Sequence, residues 1–460
     1  MTQQQAQQVQ HVDAVVIGMG PGGEEVAGRL AEAGLSVVGV ERELVGGECP
    51  YWGCVPSKMM IRGSTLLTEA RRADPYAGTT MVTPDLGPVA RRIRAEATDD
   101  WDDTVAVERF EGKGGRLVRG FACLEGPGRV RVGDDVFVAS RAVVVASGAE
   151  PVRPPIDGLA DTPYWTNREA VSALVAPASL TVLGGGAIGL ELAQMFARYG
   201  SRVTVVEGTD RLLPPEEPEA GEVVAAALRE DGVEVVLGAT AVGVRRDGDD
   251  VVVRLENGPD VRSAELLVSV GRRPRVRELG LDTVGLDPDA RSVPVDERMR
   301  AGDQLWAIGD VTASGGFTHM AMYHAAIVVA DILGRDHAAA DYRGASRVTF
   351  TDPEVGSVGL TERAARGQGI TVRTGSSQVS SSARGWIHGP GNAGFIKLVA
   401  DVDQQVLVGA TSCGPWGGEV LSMLTLAVHA RVPLPTLRSM VYAYPTFHRG
   451  VQDALTDLGE

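Results

Sequence analysis

The chain has 460 residues, too many for one hydrophobic core, and its length fits roughly two to four domains. Hydrophobic residues make up 44% and charged residues 23%, the balance of a globular protein, while a formal charge of −16 argues against nucleic acid or an anionic membrane as a partner. Four cysteines, two close together and two isolated, do not make a secreted disulfide framework, and no apolar run reaches the ~18 residues of a transmembrane helix.

Residues 1–10 are polar and Gln-rich, without an apolar leader region, so a mobile tail and a cytoplasmic protein are expected. Residues 14–17 then read as a short strand. Gly18-Met19-Gly20-Pro21-Gly22-Gly23 forms a turn, 24–33 a helix stopped by Gly34, and 35–40 a second strand closing on Glu41. The glycines at 18, 20 and 23 have the G-x-G-x-x-G spacing. The first permits a tight turn, the second lets backbone approach a pyrophosphate, and the third lets helix pack on strand. An acid where Glu41 stands can accept hydrogen bonds from ribose hydroxyls. Together these features predict a dinucleotide site.

Residues 85–112 read as one long polar helix. Residues 116–146 alternate apolar and polar, broken at Gly126-Pro127-Gly128 and Gly133-Asp134-Asp135, which signals hairpins. From Leu180 the opening unit recurs: strand 180–183, a turn with Gly184, Gly186 and Gly189, helix 190–199 capped by Gly200, and strand 202–206 closing on Glu207. A carboxylate there repels a 2′-phosphate, which favours NADH over NADPH. Arg202 and Arg211 either soften that preference or are solvated surface cations. Residues 234–270 alternate again, with turns at Asp247-Gly248 and Asn257-Gly258. From about 346 strand-like runs (347–350, 394–400, 406–412) precede an apolar helix near 419–430, which reads as a separate α+β domain. Two dinucleotide sites in one chain imply hydride or electron flow between two bound dinucleotides.

Between the two units lies GGECPYWGCVPSK, residues 46–58, in which four residues separate Cys49 from Cys54. A continuous helix would put these side chains about one and a half turns apart, so only a distorted first turn brings the sulfurs within bonding reach. Two buried reduced cysteines satisfy the same spacing. A metal site would need more ligands close by, and none follows. Cys123 and Cys413 lie in strand-like runs and are expected to be buried small hydrophobes. His319 and His324 are expected to serve packing.

The 46–58 segment resembles the redox-active motif of the flavoprotein disulfide reductases, the family of dihydrolipoamide dehydrogenase, glutathione reductase and mercuric reductase. VVVASGAEP (143–151) resembles the family's ATG strand, with Ser147 in the Thr position before Gly148. LLVSVGRRP (266–274), with Gly271 and Arg272, resembles the segment closing its NAD domain. LWAIGDV (305–311), with Gly309 and Asp310, resembles its second FAD motif, and FTDPEVGSVGLTE (350–362) the start of its dimerisation domain.

The resemblance implies an α/β architecture of two Rossmann-type domains plus a C-terminal α+β dimerisation domain. Residues 1–153 and 272–345 would bind FAD, 154–271 NAD(P), and 346–460 would form the interface of a homodimer with a shared active site. FAD would be held by Gly18, Gly20, Gly22, Gly23, Glu41, Gly47, Ser147, Gly148, Gly309 and Asp310, the last on the ribityl chain. Met320 and Ala321 would start a helix facing the flavin. The nicotinamide dinucleotide would be held by Gly184, Gly186, Ile188, Gly189, Glu207, Gly271 and Arg272, unless Arg272 makes only a surface contact. Cys54 would lie against the flavin as the charge-transfer thiolate and Cys49 would be the interchange thiol. Lys58 would sit near the flavin N5, paired with Glu191.

The C-terminus departs from the family. Disulfide-reducing members carry H-x-H-P-T-x-x-E, in which the His before Pro is the acid–base catalyst oriented by the Glu. Here Tyr444 stands at that His, Arg449 at that Glu, and His448 is out of register. An unperturbed tyrosine, with a pKa near ~10, accepts protons poorly at neutral pH. The expected function is therefore electron transfer from nicotinamide through FAD to Cys49–Cys54 and on to an unidentified small-molecule acceptor, without the standard His–Glu chemistry. The alternative is direct flavin reduction of a quinone, conjugated small molecule, metal ion or oxygen, with the cysteines non-essential. Trp52, between the cysteines, either narrows the site or packs in the core.

Overall fold

The apolar run before Gly18 is buried on both faces of a sheet: Ala14, Val15 and Val16 are fully covered. The structure, a computed structural model, describes residues 9–74, 76–314 and 316–459, and the chain divides into two units. The first comprises Met1–Pro56, Arg91–Val152 and Arg272–Asp341, the second Ser57–Ala90, Arg153–Gly271 and Tyr342–Glu460. Of the expected tail, residues 1–8 lie outside the described residues. Val9 and Gln10 instead open the first strand, opposite Val136 and Phe137.

In the first unit, Leu305–Ala307, Asp135–Val145, Val9–Ile17, Val37–Glu41 and Arg116–Arg119 run parallel as neighbours in that order. Helix Pro21–Glu32 turns Val26, Ala27 and Leu30 onto one sheet face, in a core shared with Val328 and Ile332 of helix Thr318–Ile332. Phe137, Leu124 and Val130 fill the other face. Each such side chain contributes about 1.5–3 kcal/mol when fully buried. Both hairpins expected in 116–146 form, pairing Ala122–Leu124, Arg129–Val132 and Asp135–Val145 antiparallel.

The stretch 85–112 is not one helix. It forms an α-helix Gly87–Arg92, a π-turn Ile93–Ala97, a 3-10 turn Asp99–Trp101 and an α-helix Thr104–Gly112. The path breaks where Asp99, Asp100 and Trp101 take φ of 47°, 51° and 63°, in the left-handed region. Tertiary bonds outweigh helix propensity there. The Asp103 carboxylate accepts from Val45 N–H at 2.6 Å and from Arg119 at 2.5 Å, and Trp101 Nε1 donates to the Tyr51 carbonyl at 3.3 Å.

The second unit contains a parallel sheet ordered Glu234–Val236, Arg202–Val206, Ser179–Leu183 and Glu265–Val268. Helix Ala187–Arg198 buries Leu190, Met195 and Phe196 against it. Strands Ala241–Asp247, Asp250–Leu255 and Val261–Ser263 form an antiparallel sheet that turns at the two positions read from sequence. The C-terminal sheet is antiparallel, ordered Ser346–Thr349, Glu354–Gly359, Val406–Gly414, Phe395–Asp401 and Val372–Gln378, and helix Gly417–His429 packs on it through Leu421 and Leu424.

Lys397, on the strand Phe395–Asp401, is 9% exposed and is bound by Glu217 at 3.0 Å, Glu219 at 2.7 Å and Glu362 at 3.1 Å. Burial disfavours its charge, but the hydrogen bonds it donates to Glu219 and Glu217 outweigh that and raise its pKa. Cys413 is fully buried, and burial pushes its thiol up to about 12. Cys123 is only half-buried, contrary to expectation, because its strand Ala122–Leu124 is short, and its thiol donates to the Leu124 carbonyl at 3.5 Å. Among the described residues no helix is long and apolar enough to cross a membrane.

Candidate active site

The two glycine turns share one construction. Gly18 N–H donates to Val40 O at 2.8 Å and Gly184 N–H to Val206 O at 2.9 Å. Gly18 and Gly184 have φ of 94° and 109°, and a Cβ on either would fall 2.4 or 2.6 Å from the carbonyl oxygen of Ala146 or Ser269. A Cβ on Gly23 or Gly189 would fall 2.0 or 2.4 Å from the oxygen of Gly18 or Gly184. Those four glycines are required by the fold itself.

Gly20 and Gly186 differ. Their backbones are ordinary (φ −67° and −88°), and a Cβ on either meets nothing within 4 Å. Among the described residues no contact calls for glycine at either position. Both are N-caps, where unpaired helix N–H groups and the helix dipole favour an anion. A dinucleotide pyrophosphate fits both cradles.

The acids repeat as closely. Glu41 accepts from Met19 N–H and Glu43 N–H, both at 2.8 Å, one on each oxygen. Glu207 accepts from Gly185 N–H at 2.6 Å and Thr209 N–H at 2.7 Å in the same arrangement. Each carboxylate keeps lone pairs for ribose hydroxyls. Arg211 is engaged by the carbonyls of Glu216 at 3.0 Å and Pro214 at 2.5 Å, while Arg202 is exposed.

Further parts of the first cradle lie in the same unit. Gly47 has φ 65°, and a Cβ there would come 2.8 Å from Gly20 Cα; one on Gly22 would press on Ile308 and Ala321 at 3.0–3.1 Å. Ser147 Oγ donates to the Arg275 carbonyl at 2.7 Å, and Gly148 follows with φ 70°. Gly309 N–H donates to His324 Nδ1 at 3.1 Å, which anchors the turn bearing Asp310. Burial raises the Asp310 pKa, partly offset by Arg272. Arg272 is half-buried, donating to the Ala149 carbonyl at 2.7 Å with Glu48 at 3.8 Å. The helix expected to open at Met320 begins two residues earlier, at Thr318. His324 is buried, as a packing role requires, whereas His319 is exposed and stacks on Phe317 with centroids 5.3 Å apart.

The cysteines meet across a helix break. Helix Glu48–Trp52 ends at Gly53 (φ −135°, ψ −110°), and a second helix, Cys54–Arg72, begins at the next residue. That break supplies the distortion the spacing demands. Neither cysteine is in a disulfide. The Cys49 thiol is hydrogen-bonded to the Cys54 sulfur and to Thr318, and Thr318 Oγ1 lies 3.3 Å from Cys54 Sγ. The Cys49 pKa is raised, first by its hydrogen bond to Cys54, then by burial and by charge on that sulfur. Cys49 is therefore held as the protonated thiol.

In the second unit Lys58 Nζ donates to Glu191 Oε2 at 2.7 Å and lies 4.7 Å from the centroid of Phe350. Glu191 is 6% exposed, and its other oxygen accepts from Phe350 N–H at 2.8 Å. Along the same helix Gln194 and buried Arg198 bind Asp352 and Asp231. Ile188 is exposed and Gly271 has φ 123°. Tyr444 is 69% exposed, with the Arg449 guanidinium 5.4 Å from its ring centroid. His448 Nε2 lies 3.4 Å from Thr446 Oγ1.

Thr318, Phe350 and Trp101 escaped the sequence reading. Each lies far along the chain from its partner, and Thr318 is 264 positions from Cys54. After both second strands the closing acid accepts from the backbone N–H two residues on (Glu41 from Glu43, Glu207 from Thr209), a local pattern common to the two units.

The sequence matches the family model of the pyridine nucleotide-disulphide oxidoreductases over residues 12–327, and the dimerisation-domain model of the same family over 345–455. It is 33% identical to a dihydrolipoyl dehydrogenase of Thermus scotoductus over 458 residues, covering 96% of each chain. It is 33% identical to a mercuric reductase of Streptomyces lividans over 453 residues, covering 94% of this chain and 93% of the other. The HOCl-induced flavoprotein disulfide reductase RclA of Escherichia coli superposes with a TM-score of 0.84 at 26% identity, covering 96% of this chain and 99% of that one. LpdA of Mycobacterium tuberculosis superposes with a TM-score of 0.85 at 26% identity, covering 98% and 100%.

Proposed function

Because the chain belongs to the pyridine nucleotide-disulphide oxidoreductases, and is thus an FAD-dependent, NAD(P)-using enzyme with a dimerisation domain, we propose that its electrons pass through Cys49 and Cys54 to a small-molecule acceptor that needs no His–Glu pair. The observation that carries this reading is the contact of the two thiols across Gly53. We assign FAD binding to 1–153 and 272–345, NAD binding to 154–271 and dimer contacts to 346–460, and place the enzyme in the reducing cytoplasm, where thiols persist.

FAD, when bound, supplies a two-electron carrier between nicotinamide and sulfur. Gly20 and the N-terminus of helix Pro21–Glu32 would hold its pyrophosphate, Glu41 its ribose and Asp310 its ribityl chain. Gly186 and Glu207 would hold the pyrophosphate and ribose of the nicotinamide dinucleotide. The anchored Glu207 carboxylate, with Arg211 engaged elsewhere, favours NADH. Glu191 pairs with the Lys58 ammonium at 2.7 Å and fixes its position. Two electrons and one proton convert the disulfide to a Cys54 thiolate and a Cys49 thiol, with Thr318 hydrogen-bonded to the pair. Cys49 then meets the acceptor.

Tyr444, exposed and with the Arg449 guanidinium 5.4 Å from its ring centroid, stands in place of the proton-transfer group that an organic disulfide requires. Acceptors that take electrons without expelling a thiol, such as a quinone or a metal ion, suit this site. The same observation favours a second reading, in which the acceptor reacts at the flavin directly. Cys49→Ser separates the two. The relay predicts that NADH-driven turnover of the physiological acceptor falls to background. Full turnover in the variant establishes the direct route.

A further inference from the structure

The segment after the π-turn does more than connect two helices. Trp101 stacks on Trp52, which lies between the two cysteines, with ring centroids 5.3 Å apart and an interplanar angle of 20°. Trp101 Nε1 also donates to the carbonyl of Tyr51, the residue before Trp52. The Arg94 guanidinium lies 5.2 Å from the Trp101 ring centroid and pairs with Asp100 at 3.3 Å. Three successive non-glycine residues in the left-handed region, Asp99, Asp100 and Trp101, deliver the indole to this position. Such a run persists only where surrounding contacts over-determine it, and π-turns and strained backbone cluster at functional sites.

The helix thus clamped, Glu48–Trp52, is a single turn. A helix this short does not hold itself. Cys49 and Trp52 are i and i+3, on one face of that turn. Fixing Trp52 fixes the approach of Cys49 to Cys54.

We propose that Trp101 is a positioning residue for the redox cysteine pair: through its stack on Trp52 and its bond to Tyr51 O it holds Cys49 at Cys54 and so sets the thiol–disulfide equilibrium. The inference rests on the reading of Cys49–Cys54 as the electron relay. The equilibrium is disulfide plus two electrons and two protons giving two thiols, with a dithiol such as dithiothreitol as the reductant oxidised in exchange. A clamp that keeps the sulfurs together raises their effective concentration and favours the disulfide. Losing one aromatic stack and one hydrogen bond corresponds to about a tenfold change.

The test equilibrates holoenzyme with reduced and oxidised dithiothreitol, then alkylates and weighs the peptide carrying Cys49 and Cys54. Trp101→Ala should shift the equilibrium toward the dithiol by about tenfold, about 30 mV for this two-electron couple. Trp101→Phe, which keeps a stacking ring, should shift it less than threefold. Trp101→Leu, which keeps apolar volume without stack or donor, should follow Trp101→Ala and stands in for it if that variant fails to retain flavin. A shift below twofold in both Ala and Leu variants, with the wild-type pair cycling normally, overturns the clamp alone. A wild-type pair that forms no disulfide in any buffer overturns the relay reading and the clamp with it.

Discussion

Gly186→Ala separates what the fold needs from what a ligand needs. Gly186 has φ −88° and ψ 176°, which alanine adopts freely, and its Cβ would meet no atom within 4 Å. The substitution should leave the fold intact and stabilise it by about 0.4–1 kcal/mol by narrowing the unfolded ensemble. The dinucleotide pays no such neutral role: the new methyl holds the pyrophosphate off the helix N-terminus. Losing one hydrogen bond to a charged group costs about 1.5–3 kcal/mol, roughly 10- to 150-fold in KM for NADH. The assay is steady-state NADH oxidation with a dye acceptor, beside a thermal melt and the flavin absorbance. KM should rise while the melting temperature holds or rises slightly and the flavin content is unchanged. Gly20→Ala, equally unopposed in the chain, should lose flavin instead. Gly189→Ala, whose Cβ lands 2.4 Å from Gly184 O, should lower the melting temperature. A wild-type KM in Gly186→Ala refutes the reasoning.

Lys397→Met leaves Glu217, 3% exposed, buried without its cation. Breaking such a pair costs about 3–5 kcal/mol, visible as a lower denaturation midpoint that Glu217→Gln in the same chain partly restores. Burial holds His324 near 4, down from 6.5. Below pH 6.5 the unfolded chain binds a proton that the folded chain refuses, so stability is whole above about 6.5 and falls toward pH 4 by up to about 3 kcal/mol. Protonation of Nδ1 also breaks the bond from Gly309, so flavin release should follow the same window, and His324→Gln should flatten it in a pH series of melts. Glu207→Gln removes the charge that repels a 2′-phosphate and should lower the NADH-to-NADPH ratio of kcat/KM by about tenfold, since unit charges about 4 Å apart interact by about 1–4 kcal/mol near a protein surface.

Both dinucleotide units were legible because their signals are local. A buried strand, glycines at fixed spacing and an acid closing the next strand fall within about 25 residues, the reach of one βαβ unit. The hairpins at Gly133, Gly248 and Gly258 were legible for the same reason. The broken path through 85–112 was not, since its polar composition suits a helix and only Val45, Tyr51 and Arg119, distant in sequence, pull Asp103 and Trp101 out of it. Spacing left the contact of Cys49 with Cys54 open, and Gly53 decided it by ending one helix where the next begins. Thr318 was invisible from the motif it completes, because the fold alone brings it to the cysteines.

The central claim is that Cys49 and Cys54 carry electrons. It is tested most directly by counting their thiols before and after one equivalent of NADH is added to air-oxidised holoenzyme under anaerobic conditions. The account predicts a Cys49–Cys54 disulfide that resists alkylation before NADH, and two alkylatable thiols on that peptide afterwards. An unchanged thiol count, with the flavin absorbance bleached by the same NADH, contradicts it.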